Sequence, residues 1–262
     1  MRNLKAIASS IAVPGVRLVA TDEPSRSHFG GTPNLPPGFQ WPEWHERKLG
    51  FLARISLTDL HRTRQIDWLP NEGALLFFYD FEEQPWGFDP KDRGGCAVVL
   101  VPDLDNPIAK PTVGAADDGL KYVGINFCVV QTLPSTDRPE VEAISLSDEE
   151  QETYWNLLDS ESEGQPKHRI GGFPSPVQGD HMELECQLVS NGLYCGNSSG
   201  YNDPRASELE AGARDWRLLL QFDTDDDLEV MWGDCGTLYF WVRAQESTAG
   251  RFENSWLILQ CS

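Results

Sequence analysis

The densest group of potential cation ligands in this sequence is Asp223-Thr224-Asp225-Asp226-Asp227-Leu228-Glu229, followed by Asp234. Acidic residues fall at positions 1, 3, 5 and 12 of a calcium loop counted from Asp223. The pattern breaks in two places. Leu228 stands where the sharp turn requires Gly, and a terminal Asp is too short for the bidentate reach of Glu. Such a loop after a strand is ordinary solvated charge with at most weak calcium affinity. Nucleophilic chemistry has one candidate, Cys195, with His181 and Asn197 near it in sequence. His28, His45, His61, His168 and His181 include no i, i+4 pair, and the cysteines at 96, 128, 186, 195, 235 and 261 include no C-x-x-C. There is no G-x-S-x-G elbow either. These absences lead us to expect no metal, no cofactor and six buried, reduced thiols.

Asp234 has the residue type of a general base, but Asn71 stands in the corresponding place before Gly73. Asn and Asp exchange freely as turn formers and not as bases, which points to a turn role. That correspondence is part of a larger one. Gly30-Gly31-Thr32-Pro33 is echoed by Gly171-Gly172-Phe173-Pro174 at an offset of 141. Consecutive glycines can cradle an anion, yet neither copy has a phosphate-loop spacing, and tight turns are the commoner reason for them. Leu49, Phe51, Ala53, Ile55 and Leu57 alternate with other residues, as do Trp216, Leu218, Leu220 and Phe222, the two runs lying 167 positions apart. A turn residue, a Gly and an aromatic strand then recur in 71–79 and 234–242, and a third strand closes each set at 97–101 and 256–259.

Four blocks in one order predict two similar halves, at about 25–145 and 165–262, each holding a three-stranded antiparallel unit. Neither unit buries both of its faces alone, so the two must pack together or share a sheet. Helices are sparser. Ser147 and Glu150 have capping-box spacing ahead of Tyr154, Trp155, Leu157 and Leu158, which predicts a helix ending near Asp159. Leu4 to Val13, stopped by Pro14-Gly15, reads as a second. Helix and linker together occupy 146–167, where Ser160 to Lys167 has linker composition. The expected fold is α+β, a mainly antiparallel sheet with a few peripheral helices, in one domain over 1–262.

The same blocks resemble a known family. Phe29-Gly30-Gly31-x-Pro33-x-Leu35-Pro36, Trp41-Pro42, Phe51-Leu52-x-x-Ile55-x-Leu57 and Leu69-Pro70-x-x-Gly73-x-Leu75-x-Phe77-Phe78 are similar to the N-terminal part of the YwqG-like family of bacterial proteins of unknown function. Gly171-Gly172-x-Pro174 with Gln178, Leu219-Leu220-Gln221-Phe222-Asp223 and Trp232-Gly233-Asp234-x-Gly236-x-Leu238-Tyr239-Phe240 look like its C-terminal signature. The resemblance spans about 25 to 262. It implies a single cytoplasmic α+β domain, supplies no catalytic residue or cofactor, and carries an association with immunity factors of bacterial toxin systems.

Residues present in one half alone are the better guides to function. Trp41, Trp44 and His45, the segment Pro85-Trp86-Gly87-Phe88-Asp89 with Arg93, and the loop Tyr194 to Arg205 are such residues. Aromatics on loops serve equally as recognition surface and as anchors on a core. With 21 Lys and Arg against 41 Asp and Glu the formal net charge is −20, which argues against nucleic acid and anionic membranes as partners and for a basic protein. No run of residues is long and apolar enough for a membrane span. Met1 to Val16 has the polarity of a signal peptide, but Arg17 and its poor cleavage context leave a cytoplasmic protein as the expectation. We expect a binding module for a basic partner, such as an acidic inhibitor of a basic toxin. The alternative is a small-ligand or hydrolytic site between the halves, for which Arg54 and Gln221 are the matched polar pair.

Overall fold

The alternating runs from Leu49 and from Trp216 and the aromatic runs after Gly73 and Gly236 all form strands. The computed structural model describes residues 2–103, 119–160 and 166–262. Through the first part of the chain run α1 (Leu4–Ile11), β1 (Val13–Thr21), β2 (His28–Phe29), the hairpin β3 (Glu43–Trp44) and β4 (Arg47–Lys48), and β5 (Gly50–Ser56). These are followed by α2 (Leu57–Thr63), β6 (Ala74–Tyr79), β7 (Cys96–Val101), β8 (Val123–Thr132), α3 (Pro139–Glu142) and α4 (Asp148–Ser160). The rest comprises β9 (Arg169–Ile170), α5 (Met182–Ser190), α6 (Ala206–Leu209), β10 (Trp216–Asp223), β11 (Thr237–Arg243), α7 (Ala244–Thr248) and β12 (Trp256–Gln260).

Among the described residues ten strands form one antiparallel sheet in the order β12-β11-β10-β9-β1-β8-β2-β5-β6-β7. The fold is therefore α+β. On either side of the central pair β1 and β8 come a two-residue strand, a bulged strand, an aromatic strand and an edge strand. The bulges lie between Phe51 and Ala53 on one side and between Leu218 and Leu220 on the other. A wing this long cannot stay flat, and the sheet curls until its two wings face each other. Phe77 of β6 then meets Phe240 of β11 edge to face at 5.4 Å, and Phe29 stacks on Phe222 at 5.1 Å. Between the wings lies the main core, with Leu75, Phe77 and Tyr79 from β6 and Leu238, Phe240 and Val242 from β11. Period-2 alternation turns the remaining residues outward. Ala74, Leu76 and Phe78 meet Leu35, Phe39 and Trp41, while Tyr239 and Trp241 meet α5.

The central pair is where the sequence reading fails. Pro14-Gly15 was expected to stop a helix reaching Val13; instead α1 ends at Ile11 and both residues lie in β1. Proline is tolerated because β9 pairs only with Val16 and Arg17, so no neighbour on that side asks Pro14 for an N–H. The helix expected after Ser147 is α4, and its capping box is formed: the Glu150 N–H donates to Ser147 Oγ at 3.4 Å and the Ser147 N–H to Glu150 Oε2 at 3.0 Å. Tyr154, Leu157 and Leu158 pack with Ala8 and Ile11 of α1, whereas Trp155, grouped with them in sequence, is 55% exposed. Most of the linker expected at Ser160 to Lys167 lies outside the described residues. Among the described residues no helix is long and apolar enough to cross a membrane.

Candidate functional site

Three of the loop aromatics come from positions about 40 and 110 residues apart in sequence, and the fold brings them to one rim. Trp44 stands at the end of β3. Trp86 lies in the β6–β7 connection, and Tyr194 in the loop after α5. Together they line a cleft of about 620 Å³, with Phe88, Glu83, Asp89, Asp92 and Gln178 among the other walls. Its lining contains three carboxylates and, among the described residues, neither Lys nor Arg. Trp86 is 44% and Tyr194 42% exposed, so both offer apolar surface that the fold leaves unused.

Each wall is fixed by backbone geometry. The β6–β7 connection crosses to the far wing, where Trp86 O accepts from the Leu259 N–H at 3.0 Å and Phe88 O from the Cys195 N–H at 2.8 Å. Gly87 O accepts from Trp256 Nε1 at 2.8 Å. Gly87 sits at φ +83°, and a Cβ there would lie 1.7 Å from Leu257 O, so only glycine permits this approach. Asp92 folds the connection by accepting the N–H groups of Gly87 at 2.8 Å and Asp89 at 3.3 Å. Burial raises its pKa above the usual carboxylate range even so. On the opposite wall His45 and Glu46, both with positive φ, make the two-residue turn of the β3–β4 hairpin. Trp44 stacks on His45 with 3.9 Å between ring centroids, and Arg47 ties the hairpin to Glu83 at 2.7 Å and Asp80 at 3.0 Å. Hydrogen bonds from Arg47 and His45 hold Glu83 below the usual carboxylate range, so it faces the cleft charged.

The other expected site residues lie elsewhere. Trp41 is a loop anchor: its Nε1 donates to Leu49 O at 2.8 Å and its ring packs edge-on against Phe78. Arg54 is buried on the outer face of the first wing, paired with Asp103 at 2.6 Å and donating to Arg26 O. Gln221 is buried in the other wing, where it accepts from the Ser175 N–H at 2.9 Å and donates to Lys167 O at 2.9 Å. The two side chains serve separate networks and meet no common space. Glu83 and Asp92 carry no motif of their own in the sequence, although both flank the unrepeated segment 85–89.

The other candidate chemistry resolves into structure. Asp225, in the loop whose composition predicts solvated charge, is instead 5% exposed, accepting from His168 Nε2 at 2.9 Å and from the Asp227 N–H at 2.8 Å. The Asp223 N–H donates to His168 Nδ1 at 3.0 Å, so both ring nitrogens of this buried His are engaged and neither is open to a substrate. Among the described residues no group of three or more His, Cys, Asp or Glu is placed to hold a metal ion. All six cysteines are free; Cys186, Cys195 and Cys261 are buried, but Cys128 and Cys235 are exposed, contrary to expectation. Burial pushes the Cys195 thiol up to about 11, which leaves it a poor nucleophile. Behind it lies Glu185, 9% exposed, accepting from the Tyr201 hydroxyl at 3.2 Å and pushed up to about 7 by burial. Both glycine pairs adopt positive φ throughout, and Gly30 packs against the backbone of Leu120 and Lys121.

The cleft thus joins aromatic faces to three carboxylates, of which Glu83 is already paired with Arg47 at 2.7 Å, and its aromatic faces with Asp89 and Asp92 favour a positively charged group. No curated protein matches the chain. Residues 27–261 match the family model described as domain of unknown function DUF1963, and the chain belongs to that family.

Proposed function

We propose that this protein is a non-catalytic binding module whose aromatic, acidic cleft receives a cationic side chain of a basic protein partner. The observation that carries this reading is the convergence of Trp44, Trp86 and Tyr194 around Glu83, Asp89 and Asp92 in one space of about 620 Å³. Aromatic faces hold a desolvated ammonium or guanidinium, and carboxylates neutralise it. The net charge of −20 extends the same preference over long range, speeding encounter with a cationic protein. An acidic inhibitor of a basic toxin fits this chemistry, as does the resemblance to YwqG-like proteins, and a cytoplasmic location belongs to the same reading.

We also read the chain as an internal duplication. It is supported by the mirrored strand order about β1 and β8 and by bulges at Leu52 and Leu219. Paired left-handed glycines at 30–31 and 171–172 support it too. On this reading the cleft residues, which have no counterpart in the other half, are additions to a shared scaffold.

The test is a tagged pull-down from the native host at low and moderate salt, with the Trp86→Ala and Tyr194→Ala variants in parallel. A basic protein held at low salt, shed as ionic strength rises and lost with either variant supports the cleft. Retention of a small molecule with no protein, or capture indifferent to both substitutions, refutes it.

A further inference from the structure

We propose that the outer edge of β7 accepts an extended segment of the same basic partner as an added strand. The inference rests on the cleft reading for the partner's charge and adds a second, backbone-directed contact. An open sheet has two edges, and here they are treated differently. The edge of β12 is covered by the chain itself, through Trp86 O and Gly87. On β7 the hydrogen bond from the Asp80 N–H to Gly95 O, at 2.9 Å, sets the parity of the ladder with β6. Ala97, Val99 and Val101 consequently turn their backbone groups toward β6, and Cys96, Val98 and Leu100 turn theirs away. Among the described residues nothing pairs with that outward row.

The strand reads Cys-Ala-Val-Val-Leu-Val, without a charge, a proline or a glycine. Exposed edges are ordinarily blunted with Lys, Pro or a bulge, and β7 has none of these. A groove of about 480 Å³ runs along it, walled by Pro42 and Glu43 on one side and by the segment from Gly250 to Ser255 on the other. Its charged lining residues are Glu43 and Glu253, both exposed. A second cavity of about 150 Å³, lined also by Arg93, shares Gly94 and Cys96 with the groove and Pro85 and Asp92 with the cleft, so the groove and the cleft are neighbours. Two copies of this chain would each bring a charge of −20 to the contact, which disfavours self-pairing along this edge. The occupant is therefore an extended, basic peptide segment, bound by main-chain hydrogen bonds as in other cases of strand addition.

The probe is an acetylated and amidated octapeptide of alternating valine and lysine, added to the full chain, with amide exchange followed residue by residue by NMR. In the free protein the unbonded amides of Val98 and Leu100 should exchange faster than the ladder-bonded amides of Ala97 and Val99. Saturating peptide should slow Val98 and Leu100 at least tenfold. Val98→Pro removes the outward N–H together with part of a side chain packed in the main core, so its folding is checked by thermal unfolding, and the folded variant should raise the peptide Kd at least tenfold. No peptide binding, or binding that leaves those two amides fast, overturns the proposal. Arginine amide, too small to add a strand, tests the cleft separately through the indole N–H signals of Trp44 and Trp86. If those signals stay still the cleft reading falls, and if they shift while Val98 and Leu100 remain fast only the strand addition falls.

Discussion

Glu185 offers a direct measurement of the electrostatics behind the cleft wall. It sits on α5 with 9% of its surface exposed, Tyr201 donates to Oε1, and Oε2 has no hydrogen-bond partner. Burial is the main cause of its raised pKa, with Glu183 and Asp180 adding like charge; Arg138 pairs with those two carboxylates. A carboxyl that ionises at about 7 when folded and near 4.5 when unfolded leaves stability untouched below 4.5. Stability is then lost as pH rises, until the folded state also ionises. Between pH 5.5 and 8.5 the expected loss through this one group is about 2 kcal/mol, at ~1.4 kcal/mol per pH unit over the window where only the unfolded state is ionised. Glu185→Gln cannot ionise. The variant should therefore gain on the parent by about 2 kcal/mol over that interval, or roughly 4–8 °C in Tm for a chain of this size. Thermal unfolding of both proteins at pH 5.5, 7 and 8.5 measures this. The orphaned position costs the amide something as well, but equally at every pH, so the difference between profiles is the readout. Parallel profiles would show that Glu185 is solvated and the argument from burial wrong.

Two further predictions concern the scaffold. Gly30→Ala places a Cβ 2.4 Å from the carbonyl oxygens of both Leu120 and Lys121 at φ +50°, and should cost at least about 3 kcal/mol in denaturant unfolding. Gly38→Ala, at φ +78° with nothing within 4 Å, should cost only about 1–2 kcal/mol, and equal losses would refute the steric account. Arg138→Ala strips its counter-charge from Asp180, whose side chain is fully buried, and should cost about 3–5 kcal/mol, with Asp180→Asn in the same background recovering part of it. No recovery in the double variant would assign the loss to packing of Arg138 on Phe173, 5.0 Å from its ring centre.

The outer strands of both wings were legible because their chemistry is local. Alternation marked β5 and β10 as strands, and a turn residue with a Gly before an aromatic run marked β6 and β11, although both faces of all four strands are mostly buried. The central pair was not legible. β8 is exposed in an irregular pattern, and β1 begins with Pro14-Gly15, residues that punctuate chains more often than they join sheets. Their strand character comes from pairing with each other across nine register positions, which no window of sequence contains. α5 escaped notice because His181 at its N-cap makes no side-chain cap bond. At the site, residue type pointed to Trp44, Trp86 and Tyr194, but only the crossing of the β6–β7 connection to β12 shows that they share a cleft with Glu83 and Asp92. Trp41 has the same residue type and a similar loop setting, and differs solely in finding Leu49 O and Phe78 beneath it.

The position of β1 at the middle of the sheet has a kinetic consequence. Thr132 of β8 bonds to Val13 of β1 across a separation of 119 residues, and β9 follows later still. During synthesis β5, β6 and β7 emerge and can zip locally while β1 waits for a neighbour on either side. Ordering so non-local slows folding and favours an intermediate in which one wing is assembled and the other is not. In that intermediate the aromatic inner face of β6, Phe77 and Tyr79 included, lacks its covering wing. Growth conditions that slow elongation or supply holdase chaperones should accordingly matter more for the yield of this protein than for a chain whose first strand pairs with its second.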